Sequence, residues 1–163
     1  MELKFERLSK FNRGILYKLL SDAYSFDSKI EETYKEKWLA DDNFFFDNLN
    51  IGDKYCFITT FNNEPIGFFA WDPRNLPNYA IIGDNCIIPM YKGKGYGKLQ
   101  LQEALNRIIR NGAKRIYVST NNELIPAQKM YEGAGFKQLD NSMLERWQSA
   151  QNADIYYVLN INM

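Results

Sequence analysis

The sequence predicts an α/β domain, a sheet with flanking helices, and three observations predict it. Amphipathic helical segments come first. A central block follows in which the hydrophobic period switches from helical to two. A strand, a glycine-lysine turn and a helix then succeed one another without a break, from Asn85 to Arg110. A chain of 163 residues suits a single domain, 1–163, with its own core. No internal repeat or low-complexity tract marks a second one.

Leu3 to Leu8 alternates apolar and polar and predicts a first strand. Ser9 or Asn12 can cap a helix running to about Tyr24, with Ile15, Leu16, Leu19, Leu20 and Ala23 on one face. Ser28 precedes a second helix carrying Ile30, Tyr34, Trp38 and Leu39, with Glu31 and Glu32 in its first turn, where the helix dipole favours acids. Three adjacent phenylalanines, Phe44 to Phe46, cannot all face one core from a helix. Some of them are expected to line a cleft or a partner surface. Tyr55–Phe61 and Pro65–Trp71 read as a hairpin about Asn62-Asn63-Glu64. Tyr79–Ile88 reads as a third strand of that block, with Gly83-Asp84-Asn85 as a bulge or cavity wall. The next helix buries Leu101, Ala104, Leu105, Ile108 and Ile109 and stops at Asn111-Gly112. Arg115–Ser119 is a strand, Pro126 opens a helix that ends at Gly135, and Phe136–Leu139 and Ile155–Ile161 close the fold. The polar stretch between those last two has no assignment.

Composition removes several function classes. Lysine plus arginine equals aspartate plus glutamate at 20 each, so no basic field exists to hold nucleic acid. No apolar run approaches the length of a membrane span, and the first residues lack a signal-peptide core, which places the chain in the cytoplasm as an expectation. Cys56 and Cys86 lie in separate apolar runs and read as buried free thiols. Histidine is absent, which excludes Ser-His-Asp and Cys-His catalysis and His-ligated zinc, so no metal is expected. A general base must then be a carboxylate, tyrosine, lysine or relayed water.

The glycine-lysine turn, Lys92-Gly93-Lys94-Gly95-Tyr96-Gly97-Lys98, is the strongest chemical signal. Backbone N–H groups at a helix start are free to point at an anion, and the dipole favours negative charge there. Glycine lets the backbone approach a phosphate. The spacing is not G-x-G-x-x-G, which weakens a dinucleotide reading. A P-loop needs glycine at position 92 and serine or threonine at position 99, which are lysine and leucine here.

The turn resembles the pyrophosphate loop of the GNAT superfamily of N-acetyltransferases, Arg/Gln-x-x-Gly-x-Gly/Ala, with Lys92 at the first position. The lead-in Ile87-Ile88-Pro89-Met90-Tyr91 is similar to that family's, and a second family signature stands intact as Ala127, Tyr131, Gly135 and Phe136. Leu124 occupies a position where the family commonly has asparagine; Asn121 and Asn122 just upstream are its nearest substitutes. The element order β-α-α-β-β-β-α-β-α-β-β also resembles the family's. The resemblance implies a mixed, mostly antiparallel seven-stranded sheet splayed between strands 4 and 5.

It further implies acetyl-CoA as co-substrate and an amine as acceptor. The pyrophosphate would lie over N–H groups from Gly93 to Lys98, with Lys92, Asn121, Asn122, Ala127 and Lys129 in the donor-binding set. The pantetheine would pair with strand backbone at Cys86, Ile87 and Ile88, as an added strand would. Tyr131 would be the general acid for the departing thiolate, or else a core residue beside Ala127 and Ala134. Asp84 is the best carboxylate for a base; if the strand turns it away, Asn85 would face the cleft instead. Asp41, Asp42, Asp47, Phe44–Phe46 and Trp71 are expected to form an acidic, aromatic acceptor mouth. Dimers are frequent in the family, which extends the expectation to a homodimer. The rival to an enzyme is a catalytically inactive acyl-CoA-binding regulatory module.

Overall fold

The structure is a computed structural model that describes residues 2–139 and 153–161; the unassigned polar stretch 140–152 lies outside the described residues. The strands are β1 Leu3–Glu6, β2 Cys56–Phe61, β3 Glu64–Asp72, β4 Ala80–Ile87, β5 Arg115–Thr120, β6 Lys137–Gln138 and β7 Ile155–Asn160. The helices are α1 Ile15–Ala23, α2 Ser28–Asp47, α3 Leu49–Tyr55, α4 Tyr96–Arg110 and α5 Ile125–Gly133. The strands form one seven-stranded sheet in the order β1-β2-β3-β4-β5-β7-β6, as expected from the resemblance. No helix among the described residues is long and apolar enough to cross a membrane.

The described residues fall into two compact units. The first draws on Met1–Trp71 and Asp84–Ala104. Its β2–β3 hairpin turns at Asn62 and Asn63, whose φ values of 49° and 70° are the left-handed pair that matches strand twist. One face of this sheet buries Leu16, Leu19, Leu20 and Ala23 of α1 and Trp38 of α2 against Ile58, Phe68 and Cys86. Phe57 and Phe69 stack elsewhere in the unit at 5.8 Å.

The start of α1 differs from expectation. Leu8–Lys10 is a 3-10 turn, and α1 begins only at Ile15, after Gly14. Neither Ser9 nor Asn12 caps it. Asp42 of α2 does so: its carboxylate accepts from Gly14 N at 2.8 Å, Leu16 N at 2.9 Å and Tyr17 N at 3.2 Å. Asp42 is accordingly only 2% exposed. Helix α2, capped by Asp27, runs unbroken through the phenylalanines. Phe45 and Phe46 pack on the α1 core, while Phe44 stays 50% exposed.

The second unit draws on Asp72–Gly83 and Leu105–Met163. Antiparallel β5 and β7 pair along their whole length, from Arg115↔Asn160 to Thr120↔Ile155. β4 enters this unit at its first residues, where it pairs in parallel with β5 through Ala80↔Ile116 and Ile81↔Tyr117. A parallel ladder of two residue pairs fits the splay implied for these strands. Gly112, at φ 91°, ends α4, and its N–H closes on Ile109 O at 2.9 Å.

Candidate active site

β4 is followed by a 3-10 turn, Pro89–Tyr91, whose last carbonyl-bonded amide is Lys92 N on Pro89 O at 3.1 Å. Gly93 and Gly95 then take φ values of 76° and 88°. A Cβ at either position would have open space around it, so the glycines serve the left-handed backbone and not tight packing. The helix ladder opens with Leu99 N on Gly95 O at 3.2 Å. The N–H groups of Gly93, Lys94, Gly95, Tyr96, Gly97 and Lys98 precede that bond, at the positive end of α4. Phe61, Tyr91 and Tyr96 form a triangle of rings 5.3 to 6.0 Å apart that pins the turn to the end of β2. Lys94 and Lys98 are exposed, with the Lys94 ammonium 5.7 Å from the Tyr91 ring centre.

Lys92 is placed differently from a phosphate-facing cation. Its Nζ donates to Ala23 O at the C-terminus of α1, at 2.8 Å, and lies 4.9 Å from the Phe26 ring and 5.9 Å from the Tyr24 ring. Burial draws this ammonium below its ordinary pKa. A cation at a helix C-terminus is the favourable arrangement, so the side chain anchors the turn.

The three backbone positions expected to meet pantetheine divide between the edges of β4. Ile88 N donates to Ile66 O on β3 at 2.8 Å. Cys86 O also faces β3, so close that a Cβ on Gly67 would sit 2.2 Å from it. Gly67 is therefore required there. Ladder parity turns the N–H and C=O of Ile87 to the opposite edge. Of the three, Ile87 alone presents its amide there. The Cys86 thiol is pushed up to about 12, chiefly by burial, and Cys56 and Cys86 are both buried thiols outside any disulfide, as the sequence predicts.

Asp84 and Asn85 point to opposite faces of β4, which runs through them as continuous strand. Asn85 lies on the α4 side: its Oδ1 accepts from Gln100 Nε2 at 2.7 Å. Gln100 also donates to Phe68 O at 3.0 Å and accepts from Thr59 Oγ1 at 2.6 Å. Asn85 thus helps hold helix to sheet. Asp84 lies on the α1–α2 side. It is half-buried. Burial raises it to about 7, Lys37 opposing and a hydrogen-bonded Asp41 reinforcing the rise. Lys37 and Asp41 are one turn apart on α2 and pair at 2.7 Å. Burial works to lower Lys37, but Asp84 and Asp41 outweigh it and leave it raised.

The remaining predicted residues lie in the second unit. Tyr131 on α5 is 4% exposed, with its ring 5.6 Å from Phe136 and 6.2 Å from Tyr157. Ala127 is half-buried and Lys129 exposed on the same helix. The turn before α5 uses its backbone internally: Gln128 Nε2 donates to Asn121 O at 2.9 Å and to Asn122 O at 3.0 Å, and Asn122 N donates to Asp154 at 3.0 Å.

The acidic acceptor mouth requires correction. Asp42 is spent on the start of α1, Asp47 pairs with Arg13 at 2.6 Å, and Trp71 is 3% exposed. Only Asp41 of that group stands beside the Asp84 carboxyl. Lys37 and Gln100 are the residues sequence reasoning missed. Lys37 carried a signal, an i,i+4 spacing to Asp41; its approach to β4 did not. Among the described residues no group of three His, Cys, Asp or Glu is placed to hold a metal ion.

Residues 15–136 match the family model described as Acetyltransferase (GNAT) family. No curated protein matches the sequence. Among solved structures, the PaiA N-acetyltransferase of Thermoplasma acidophilum, crystallised with coenzyme A, is 17% identical over 99% of this chain and 100% of its own, at a TM-score of 0.75. An acetyltransferase of the GNAT family from Staphylococcus aureus Mu50 is 16% identical over 99% of this chain and 100% of its own, at 0.68. The N-acetylglutamate synthase of Neisseria gonorrhoeae, complexed with coenzyme A and N-acetyl-glutamate, is 12% identical over 100% of this chain and 36% of its own, at 0.68. These likenesses show the fold. With the family model covering most of the chain, the glycine-lysine turn and the Ala127–Phe136 signature have their explanation: the chain belongs to the GNAT acetyltransferase family.

Proposed function

We propose that the protein moves the acetyl group of acetyl-CoA to a primary amine of a small molecule or peptide, by direct attack and as one acetyltransferase domain. Family membership supports acetyl transfer, and relatives crystallised with coenzyme A support the donor. The observation that carries the reading is Asp84, a strand carboxyl next to the donor-binding segment and raised to about 7 by burial. A free alkyl ammonium titrates near pH 10, so a base must take its proton before attack. Asp84 ionises in the range where a general base is most useful.

In this reading the acceptor ammonium gives a proton to the Asp84 carboxylate, and the freed amine attacks the thioester carbonyl. The C–N bond forms, and the charge developing on oxygen is met by the Ile87 N–H, a kind of donor often worth about 3 kcal/mol. The C–S bond then breaks, Tyr131 gives its phenolic proton to the thiolate, and the second proton that the nitrogen sheds as the amide forms returns to the tyrosinate. Cys86, a thiol up to about pH 12, is a poor covalent relay, which favours direct attack over an acetyl-cysteine. Thiol release from acetyl-CoA across a panel of alkylamines, polyamines, aminoglycosides and peptides tests the reading. Amine-dependent release is expected. Thermal stabilisation by acetyl-CoA without release from any amine would leave the binding module instead.

A further inference from the structure

The Lys92 side chain leaves the glycine-lysine turn and reaches the corner between α1 and α2. Its ammonium donates to Ala23 O at 2.8 Å and lies 4.9 Å from the Phe26 ring and 5.9 Å from the Tyr24 ring. Tyr24 stacks in turn on Trp38 of α2 at 5.7 Å. A lysine ammonium carries three donors, and one carbonyl and two ring faces offset only part of its charge. Among the described residues Lys92 forms no ion pair, whereas Lys37 on the neighbouring helix holds Asp41 at 2.7 Å. Phe26 is 61% exposed and Lys92 is exposed as well, so the corner is open to solvent.

This corner lies on the face of β4 that carries Asp84. Ala23 and Trp38 pack with Cys86 in one buried cluster, and Ile88 packs against it. Side chains two apart on a strand share a face, so Asp84 shares that of Cys86. Asn85 and α4 lie on the other face, where Gln100 meets Asn85. From Asp84 the chain runs past Cys86 to Ile88 and then to the turn that bears Lys92, and two strand residues already span about 7 Å. We propose that Lys92 is a specificity-determining residue: it receives a carboxylate at the far end of an acceptor whose amine lies at Asp84. The inference rests on acetyl transfer with Asp84 as the base. The acceptor class is then an ω-amino carboxylate, with its two charged ends about 7 Å or more apart. An α-amino acid acetylated on its α-amine is too short, because one carbon separates its two charges.

The chemistry of the corner selects an anion over a cation. Lys92 already occupies the ring faces of Tyr24 and Phe26, and a second ammonium there would be repelled. Carboxylates that could have drawn a polycation are engaged elsewhere, Asp42 on the start of α1 and Asp47 on Arg13. A carboxylate beside Lys92 would instead complete its donor set with a charge-assisted hydrogen bond. The exposed Phe26 ring gives the acceptor's methylene chain an apolar surface on the way.

The test compares thiol release from acetyl-CoA with 6-aminohexanoate and with 6-aminohexanamide, which present the same amine and differ in the charge of the tail. The readout is the ratio of the two kcat/KM values within each protein, because an effect of a substitution on the donor turn cancels in it. Wild type is expected to favour the carboxylate by about tenfold, mainly through KM. Lys92→Met should bring the ratio close to one, and Lys92→Arg should keep it well above one. A wild-type ratio of one or less overturns the inference without recourse to any variant. A ratio that Lys92→Met leaves unchanged also overturns it, including the case in which both acceptors slow together because the donor turn has loosened. Release with uncharged-tail alkylamines but not with the carboxylate overturns this inference alone and leaves acetyl transfer standing. No release with any amine overturns both.

Discussion

Gln100 Nε2 donates to Asn85 Oδ1 at 2.7 Å, while Gln100 Oε1 accepts from Thr59 Oγ1 at 2.6 Å, and Gln100 has no solvent exposure. One amide therefore ties α4, the helix behind the glycine-lysine turn, to β2 and β4. Replacing it by leucine fills the volume but takes a partner from a buried hydroxyl and from the Phe68 carbonyl. Gln100→Leu is expected to cost about 2–4 kcal/mol, read by urea denaturation. A loss within the error of wild type would mean that apolar packing, and not this node, holds the helix.

Asp42 closes the start of α1 from a different helix. Its side chain accepts from three backbone N–H groups and is buried. Asp42→Ala should destabilise by about 2 kcal/mol, and Asp42→Asn by less, since its oxygen can still accept one of them. Hydrogen exchange should show the loss first at Leu16 and Tyr17.

Two glycine substitutions should have opposite signs. Gly95 is left-handed at φ 88° with open space around its missing Cβ, so Gly95→Ala should cost about 1–2 kcal/mol in backbone strain and raise the KM for acetyl-CoA. Gly133 is in α5 with nothing near its missing Cβ and no φ constraint, and Gly133→Ala should stabilise by about 0.5–1 kcal/mol. Thermal melts with and without acetyl-CoA separate the two effects.

Asp84 makes stability depend on pH. The folded state holds this proton to about pH 7, against an ordinary carboxylate value of 3.8. Between those values the folded state binds more protons than the unfolded one, so stability falls as pH rises through the window. Asp84→Asn removes the titration. Its melting temperature relative to wild type should climb from pH 4 to pH 8, by roughly 2–4 °C for each kcal/mol recovered. A constant difference across that range would contradict a raised Asp84.

What the sequence made legible was local. The hairpin at Asn62-Asn63, the stop at Gly112 and the turn at Gly93 and Gly95 are each written in the residues that adopt them. Strand parity also set Asp84 and Asn85 on opposite faces, but parity alone could not say which face met α2. The contacts missed are those between distant positions. Asp42 reads as one more surface acid until its reach to Leu16 is known. Lys92 reads as a phosphate ligand until Ala23 O is found beside it. The acidic mouth failed for that reason, because its carboxylates were assigned to an acceptor while Asp42 had a helix start to satisfy.

The most direct measurement is kcat/KM for amine-dependent thiol release from acetyl-CoA, followed from pH 5 to 9 in wild type and Asp84→Asn. The account predicts a wild-type rate that rises tenfold per pH unit and levels off above about pH 7, the value to which burial raises Asp84. It predicts a much slower variant without that limb. Equal profiles for the two proteins, or a limb set only by the acceptor's own amine pKa, would contradict it.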